Sequence, residues 1–187
     1  GFFVKNGFDE GRVATPQGGY RYLQCLGKCR SGAVVESGPL VDAAMPFVHP
    51  VRQDLLEERL VPKCQFCGGE MTLCVRGGRY FDEAPFWEME RKWERFLEEV
   101  GSESESESRQ DSGSVSVVIL ELGVGLNTPA VLRWPNEDLV CESESRRFRL
   151  IRVGMEASGC VPWELEEDGL AVGISGDIKA ALDALIS

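Results

Sequence analysis

The chain is short of several things, and each shortage removes a class of function. It has one histidine, His49, so neither a histidine-rich metal centre nor a His pair for acid–base work can be built from it. Basic residues are scarce, 20 against 31 acidic ones, for a net charge of −11. A nucleic-acid surface or an anionic membrane surface needs a basic footprint, so neither is expected as a partner. No stretch is apolar for long enough to cross a bilayer. Missing too is the strand, glycine-rich turn and helix with which a dinucleotide fold opens to cradle a pyrophosphate.

What remains is enough for a globular protein. A chain of 187 residues with 43% hydrophobic residues can bury a core. Its seven cysteines are an odd number, which suits a reducing cytoplasmic or nuclear setting rather than secretion, and metal binding rather than disulfides. Gly1 stands where a Met would begin a chain, inside an apolar stretch of structured character, and the expectation is a C-terminal portion of a longer protein.

Four of the cysteines form two knuckles, Cys25-Leu26-Gly27-Lys28-Cys29 and Cys64-Gln65-Phe66-Cys67, the second followed by Gly68-Gly69. Two paired knuckles offer the four thiolates of a closed tetrahedral Zn²⁺ site, which staples structure and leaves no position open for a substrate. The alternative is a set of unrelated reduced thiols. Residues 30–62 between the knuckles carry prolines at 39, 46, 50 and 62 and are expected to loop out, with a possible helical turn at 54–60. His49 precedes a proline, which favours a solvent-facing turn over a ligand or base.

Around the knuckles, residues 1–22 read as loop, short helix and then a strand through Tyr20-Arg21-Tyr22-Leu23 that delivers Cys25. A second strand returns over residues 71–75, and residues 76–79 form a turn. Apolar positions Phe86, Met89, Trp93, Phe96, Leu97 and Val100 recur at helical spacing, so residues 84–100 are a helix with its aromatic stripe in the core and Pro85 in its first turn. Residues 101–113, with alternating serine and glutamate, read as a disordered acidic loop. From residue 114 the pattern changes. The β-branched run 115–122 is expected to be a strand covered on both faces, running into Gly123-Val124-Gly125. Strands at 147–153 and 170–174 and a helix opened by Gly176-Asp177-Ile178 follow, giving strand, loop, strand, strand, helix. The fold class is α/β: the C-terminal part of a Rossmann-like doubly wound parallel sheet with a small four-cysteine zinc-binding module inserted. The expected divisions are 1–22, 23–83 for the zinc module, 84–100, 101–113 and 114–187.

The order of these features resembles the sirtuins, NAD-dependent deacylases and ADP-ribosyltransferases, and most closely the macrodomain-linked class M branch. The resemblance rests on Lys5-Asn6-Gly7-Phe8-Asp9, Gln17-Gly18, the string from Glu121 to Pro129, and Gly176-Asp177-Ile178. It implies structural zinc held by Cys25, Cys29, Cys64 and Cys67, and NAD as co-substrate. Gln17 falls where most members have a catalytic histidine. A glutamine amide can hydrogen-bond a ribose hydroxyl but cannot take its proton near neutral pH, so the resemblance implies ADP-ribosyl transfer to a protein more than deacylation. Gly123, Val124 and Gly125 would meet the NAD ribose or phosphate through their backbone, Asp177 and Ile178 would lie near the adenine, and Arg152 stands where the family usually carries an asparagine toward the adenosine. The family's first glycine-rich loop and Asn-x-Asp segment are absent from this sequence, which predicts weak or no turnover by this stretch alone. Lysine deacylation and a non-enzymatic zinc-stabilised interaction module are the alternatives.

Overall fold

The computed structural model describes residues 2–54, 57–102, 117–143 and 146–186. It divides into two units, Gly1–Arg95 and Phe96–Ser187, and each has its own three-stranded sheet.

In the first unit a short helix α1 (Phe2–Lys5) and a 3-10 turn at Glu10–Arg12 precede strand β1 (Gly18–Cys25), as the sequence pattern implies. Gly18 opens the strand at φ +75°, and a Cβ there would lie 2.2 Å from the Cys74 carbonyl oxygen and 2.7 Å from the Phe81 ring, so only glycine fits. Strand β3 (Met71–Val75) pairs antiparallel with β1, and Cys25 faces Met71 in the register.

The 30–62 segment does not loop out. Val34–Glu36 form strand β2, which pairs antiparallel with the other edge of β1 and sets Leu23 opposite Val35. Helix α2 (Ser37–Ala44) follows, and the Ser37 hydroxyl donates to the Tyr20 carbonyl. Two adjacent valines beside an open strand edge outweigh the prolines, because the ladder satisfies backbone groups that a loop would leave to water. The expected helical turn appears as a 3-10 turn at Glu58–Leu60. His49 Nδ1 accepts from the Val51 and Arg52 amides at 3.2 and 3.1 Å, which makes it the cap of a turn.

Helix α3 (Trp87–Ser102) follows a 3-10 turn at Ala84–Phe86 that contains Pro85. It runs past Gly101, where the sequence pattern ends it, and the remainder of the acidic serine-glutamate run lies outside the described residues. Its aromatic stripe is only partly core: Phe86 is half-buried with its ring stacked on Phe81, and Met89, Leu97 and Val100 are half-buried, whereas Trp93 and Phe96 are 45% and 46% exposed. Helical spacing shows that these residues share a face, but a sequence does not say whether another layer covers that face.

The second unit is a parallel sheet of β4 (Val117–Leu122), β5 (Phe148–Gly154) and β6 (Ala171–Ser175) in that spatial order. The β4–β5 connection contains helix α4 (Arg133–Cys141) and the β5–β6 connection contains α5 (Trp163–Glu167). Both escape the strand, loop, strand, strand, helix reading, since α5 is barely one turn and Pro135 near the start of α4 looks like a breaker. Proline is tolerated in a first turn, where its missing N–H is not needed. Helix α6 (Ile178–Ile186) closes the chain, and Asp177 Oδ1 caps it by accepting from the Ala180 amide at 2.9 Å.

The core consists of Phe148, Leu150, Leu170 and Ala171 from the sheet region with Val140 and Leu165 from α4 and α5, and Val100, Val117, Ile119 and Val161 pack against it. Strand β4 is covered on one face only. Val118, Leu120 and Leu122 alternate with the core positions and remain exposed, because successive side chains point to opposite faces and the apolar core lies on the other one.

Candidate metal centre and strand-end site

Strand β1 carries Cys25 to the edge of the first unit, where the backbone turns back on itself. Lys28 adopts φ +45° and its N–H donates to the Cys25 carbonyl at 3.0 Å, closing the first knuckle. The second closes in the same way, with Gly68 at φ +70° and its N–H 2.7 Å from the Cys64 carbonyl. The Cys64 N–H donates to the Gly69 carbonyl at 2.8 Å, and Lys63 pairs with Glu70 as an antiparallel bridge into β3.

These turns bring all four sulfurs within 4.8 Å of one another. Cys25 Sγ lies 3.7 Å from Cys67 Sγ, and Cys29 Sγ lies 3.6 Å from Cys64 Sγ. A tetrahedron of sulfurs about 2.3 Å from a central Zn²⁺ has edges of about 3.8 Å. The cysteines are all reduced, with Cys25 and Cys64 buried and Cys29 and Cys67 exposed. Backbone amides aim at the first sulfur of each knuckle. Those of Phe66 and Cys67 lower the Cys64 thiol to about 7, and that of Cys29 lowers Cys25. Burial and the neighbouring thiols push Cys29 up to about 12 and, against the Gly69 amide, the neighbouring thiols raise Cys67, so the second sulfur of each knuckle needs a cation beside it to ionise. Thiolate is the form that binds metal, so the donor set fits a soft, tetrahedral divalent ion such as zinc.

Behind the knuckles is a polar latch that knuckle spacing does not reveal. Asp82 is buried; its carboxylate accepts from the Gly32 amide at 2.8 Å and the Ala84 amide at 3.2 Å, and its own N–H donates to Gln24 Oε1 at 2.8 Å. Gln24 Nε2 donates to the Tyr80 carbonyl at 2.7 Å, while Lys28 Nζ donates to the Phe81 carbonyl at 3.0 Å. The 80–84 segment is thereby pinned to both β1 and the first knuckle. Cys74 stands apart from the cluster. Burial pushes its thiol up to about 11, and it donates to the Asp82 carbonyl.

Gln17 is half-buried immediately before β1, and its carbonyl accepts from the Arg76 amide at 2.8 Å. The Arg76 guanidinium donates to the Pro16 carbonyl at 3.2 Å, pairs with Glu83 at 3.0 Å and lies 4.6 Å from the centroid of the Phe81 ring. Arg76 thus fixes the Pro16-Gln17 turn, a role hidden by its position in a glycine-rich turn of the sequence.

In the second unit the strand-end residues gather at the carboxyl edge of the parallel sheet, the edge at which open α/β sheets bind ligands. Gly123 turns at φ +66° with its N–H on the Val153 carbonyl at 2.9 Å. A Cβ at Gly123 would sit 3.1 Å from Ile178 Cδ1, so the glycine turn lies against the start of α6. Gly176 N–H reaches the Gly154 carbonyl at 2.9 Å, which ties the β6 end to the β5 end beside Asp177. Gly123 and Gly125 are exposed and Val124 is half-buried. Arg152 is placed differently. Its side chain is fully buried, paired with Glu121 and with Glu137 at 2.7 Å, and it donates to the Cys160 carbonyl at 3.0 Å. Burial works against its charge, but the two carboxylates outweigh burial and raise its pKa. Asn136 adds a hydrogen bond to Glu121 at 2.8 Å. The β4–β5 register sets Glu121 beside Arg152 on the core face, and no local pattern announces that pairing.

No family model matches the chain. Over 186 residues, 100% of its length, it is 47% identical to a protein of Fusarium oxysporum f. sp. cubense named "Probable bifunctional ADP-ribose hydrolase/ADP-ribosyltransferase", and it spans 29% of the length of that relative.

Proposed function

We propose that this stretch belongs to a sirtuin-type, NAD-dependent protein ADP-ribosyltransferase, with its three parallel strands forming part of a Rossmann-like sheet. The relative's name covers two activities, removal and transfer of ADP-ribose. The observation that favours transfer for this stretch is the meeting of four cysteines at tetrahedral spacing at the far end of the strand that Gln17-Gly18 opens, of which Cys25 is the last residue. In this reading Cys25, Cys29, Cys64 and Cys67 hold a structural zinc that takes no part in the reaction.

NAD, when bound, supplies the ADP-ribosyl group by giving up nicotinamide. Gly123, Val124 and Gly125 receive the ribose or phosphate through backbone, since exposed glycines let a ligand approach the amides. Asp177 and Ile178 border the adenine side. Arg152, enclosed by Glu121 and Glu137, supports the floor of that site. Gln17 orients a ribose hydroxyl through its amide and removes no proton, which disfavours deacylation. The acceptor in this reading is a protein, since a net charge of −11 does not favour nucleic acid or an anionic membrane as partner.

The test is incubation of a longer protein that contains this stretch with NAD labelled in its adenylate phosphate and a mixture of candidate acceptor proteins. The proposal expects protein-bound label that Gln17→Ala abolishes while the fold is retained. Release of acetyl from an acetyl-lysine peptide would instead establish deacylation. Absence of both, with no NAD binding by calorimetry, would leave a zinc-stabilised interaction module.

A further inference from the structure

The carboxyl edge of the second sheet carries an arginine that the preceding proposal does not use. Arg133, the first residue of α4, is 6% exposed. Its guanidinium spans two loops: Nη1 donates to the Val124 carbonyl at 3.0 Å and to the Ser158 carbonyl at 2.8 Å, and Nη2 donates to the Cys160 carbonyl at 2.9 Å. One side of this bridge is the exposed glycine turn after β4, and the other is the turn after β5.

The second side is a firm anchor. A Cβ at Gly154 would approach Ser158 Oγ to 2.6 Å; one at Gly159 would approach the Gly154 and Ile174 carbonyl oxygens to 2.7 Å; one at Gly173 would approach the Gly159 carbonyl oxygen to 2.6 Å. Three glycines therefore let the 156–160 turn lie flat on the ends of β5 and β6, and Arg152 fastens it again through Cys160. The first side is packed at Gly123, beside Ile178, but not at its tip. A Cβ at Gly125 would meet nothing within 4 Å.

We infer that Arg133 is a positioning residue for the strand-end ligand site: it locks the Val124–Gly125 peptide plane against the 156–160 anchor and so presets the Gly125 N–H for an ADP-ribosyl ligand. The geometry follows from peptide planarity. With the bond trans, the Val124 C=O and the Gly125 N–H point in opposite directions, so a carbonyl held toward Arg133 directs the amide to the other side of the turn. Arginine suits the task because its planar fork donates in several fixed directions from one charge, whereas a lysine donates from a single nitrogen. A preset amide spares the ligand the cost of ordering the turn. The ligand half of this inference rests on the function proposed above; the clamp itself does not.

Two measurements on the full chain test it, amide hydrogen exchange and calorimetric titration with ADP-ribose, each on Arg133→Met, Arg133→Lys and the core control Val140→Ala. For Arg133→Met, exchange at residues 124–126 should accelerate and the Kd for ADP-ribose should rise about tenfold, the usual cost of losing a supporting hydrogen-bond partner. Arg133→Lys should recover part of both losses. Val140→Ala should lower Tm without moving either reading. The clamp is overturned if Arg133→Met exchanges at 124–126 like the wild type, or if Val140→Ala accelerates the turn equally. Should Arg133→Met not fold, Arg133→Lys decides: intermediate exchange and affinity support the clamp, wild-type values overturn it. Accelerated exchange in the variants together with no ADP-ribose binding by the wild type would uphold the clamp and overturn the ligand assignment.

Discussion

The two units hold together by different means. In the first, the buried cluster among the described residues is small, Cys25, Ala33 and Cys64 with Met71 packed against it, Cys74 and Phe81 are buried apart from it, and beside them stand four thiols that could hold a metal and the Gln24–Asp82 latch. In the second, six buried apolar residues form a continuous core beneath a parallel sheet, and the buried Arg152 beside them is paired with Glu121 and Glu137. Apolar burial acts under all conditions in which water is the solvent, whereas a cluster of thiolates is cohesive only while a cation balances it. The first unit should therefore be conditionally stable and the second intrinsically so.

Removing metal should give the largest effect. Structural zinc contributes about 10–16 kcal/mol of apparent binding free energy in small thiolate sites at neutral pH. Chelation or Cys64→Ser should abolish stoichiometric zinc, measured by elemental analysis, and erase hydrogen-exchange protection in β1–β3 while β4–β6 keep theirs. Loss of protection in both units together would dissolve the contrast. Next comes Glu121→Ala, which leaves the buried Arg152 with Glu137 as its one carboxylate partner and should cost about 3 kcal/mol in chemical denaturation. The double change Glu121→Leu with Arg152→Met should recover most of that loss. Leu150→Ala, at the centre of the apolar core, should cost about 2–5 kcal/mol and leave zinc content untouched.

Within the first unit, Gln24→Ala should cost about 1–3 kcal/mol in the metal-loaded protein, because the buried Asp82 amide loses its acceptor. Its effect should vanish once chelation has already unfolded the unit, which distinguishes a latch from a core residue. The smallest expected effect on stability is that of Gln17→Ala. It should change unfolding free energy by about 1 kcal/mol or less, as substitution of a half-buried polar residue outside the core does, while abolishing transfer of label from NAD by a longer protein that contains this stretch.

Legibility followed the range of the interaction. The knuckles, the helix over 87–102 and the strands of the parallel sheet were readable because each is written in neighbours: paired cysteines, apolar residues at three- and four-residue steps, and β-branched runs. Strand β2 was obscured because four prolines dominate its segment, and two valines declare a strand only when the β1 edge stands beside them. The exposed faces of α3 and β4 were expected to be covered, since periodicity marks a shared face without specifying its partner. Arg76, Asp82 and Arg133 carried no local signal at all, for each works through backbone groups far away in the chain.

The sequence by itself determined which atoms could serve: four thiols in two glycine-flanked knuckles, a glutamine ahead of them, and a strand ending in Gly123-Val124-Gly125. Tertiary structure decided where they act. Cys25 and Cys67 are separated by 42 positions and Cys29 and Cys64 by 35, and only the β1–β3 pairing closes those distances to tetrahedral edges. Likewise, the parallel register turned Arg152 into the buried partner of Glu121, and the turns after β4 and β5 brought one and two carbonyls to Arg133. Local spacing sets backbone conformation, but the meeting of distant side chains depends on register and layer packing, which many residues decide jointly.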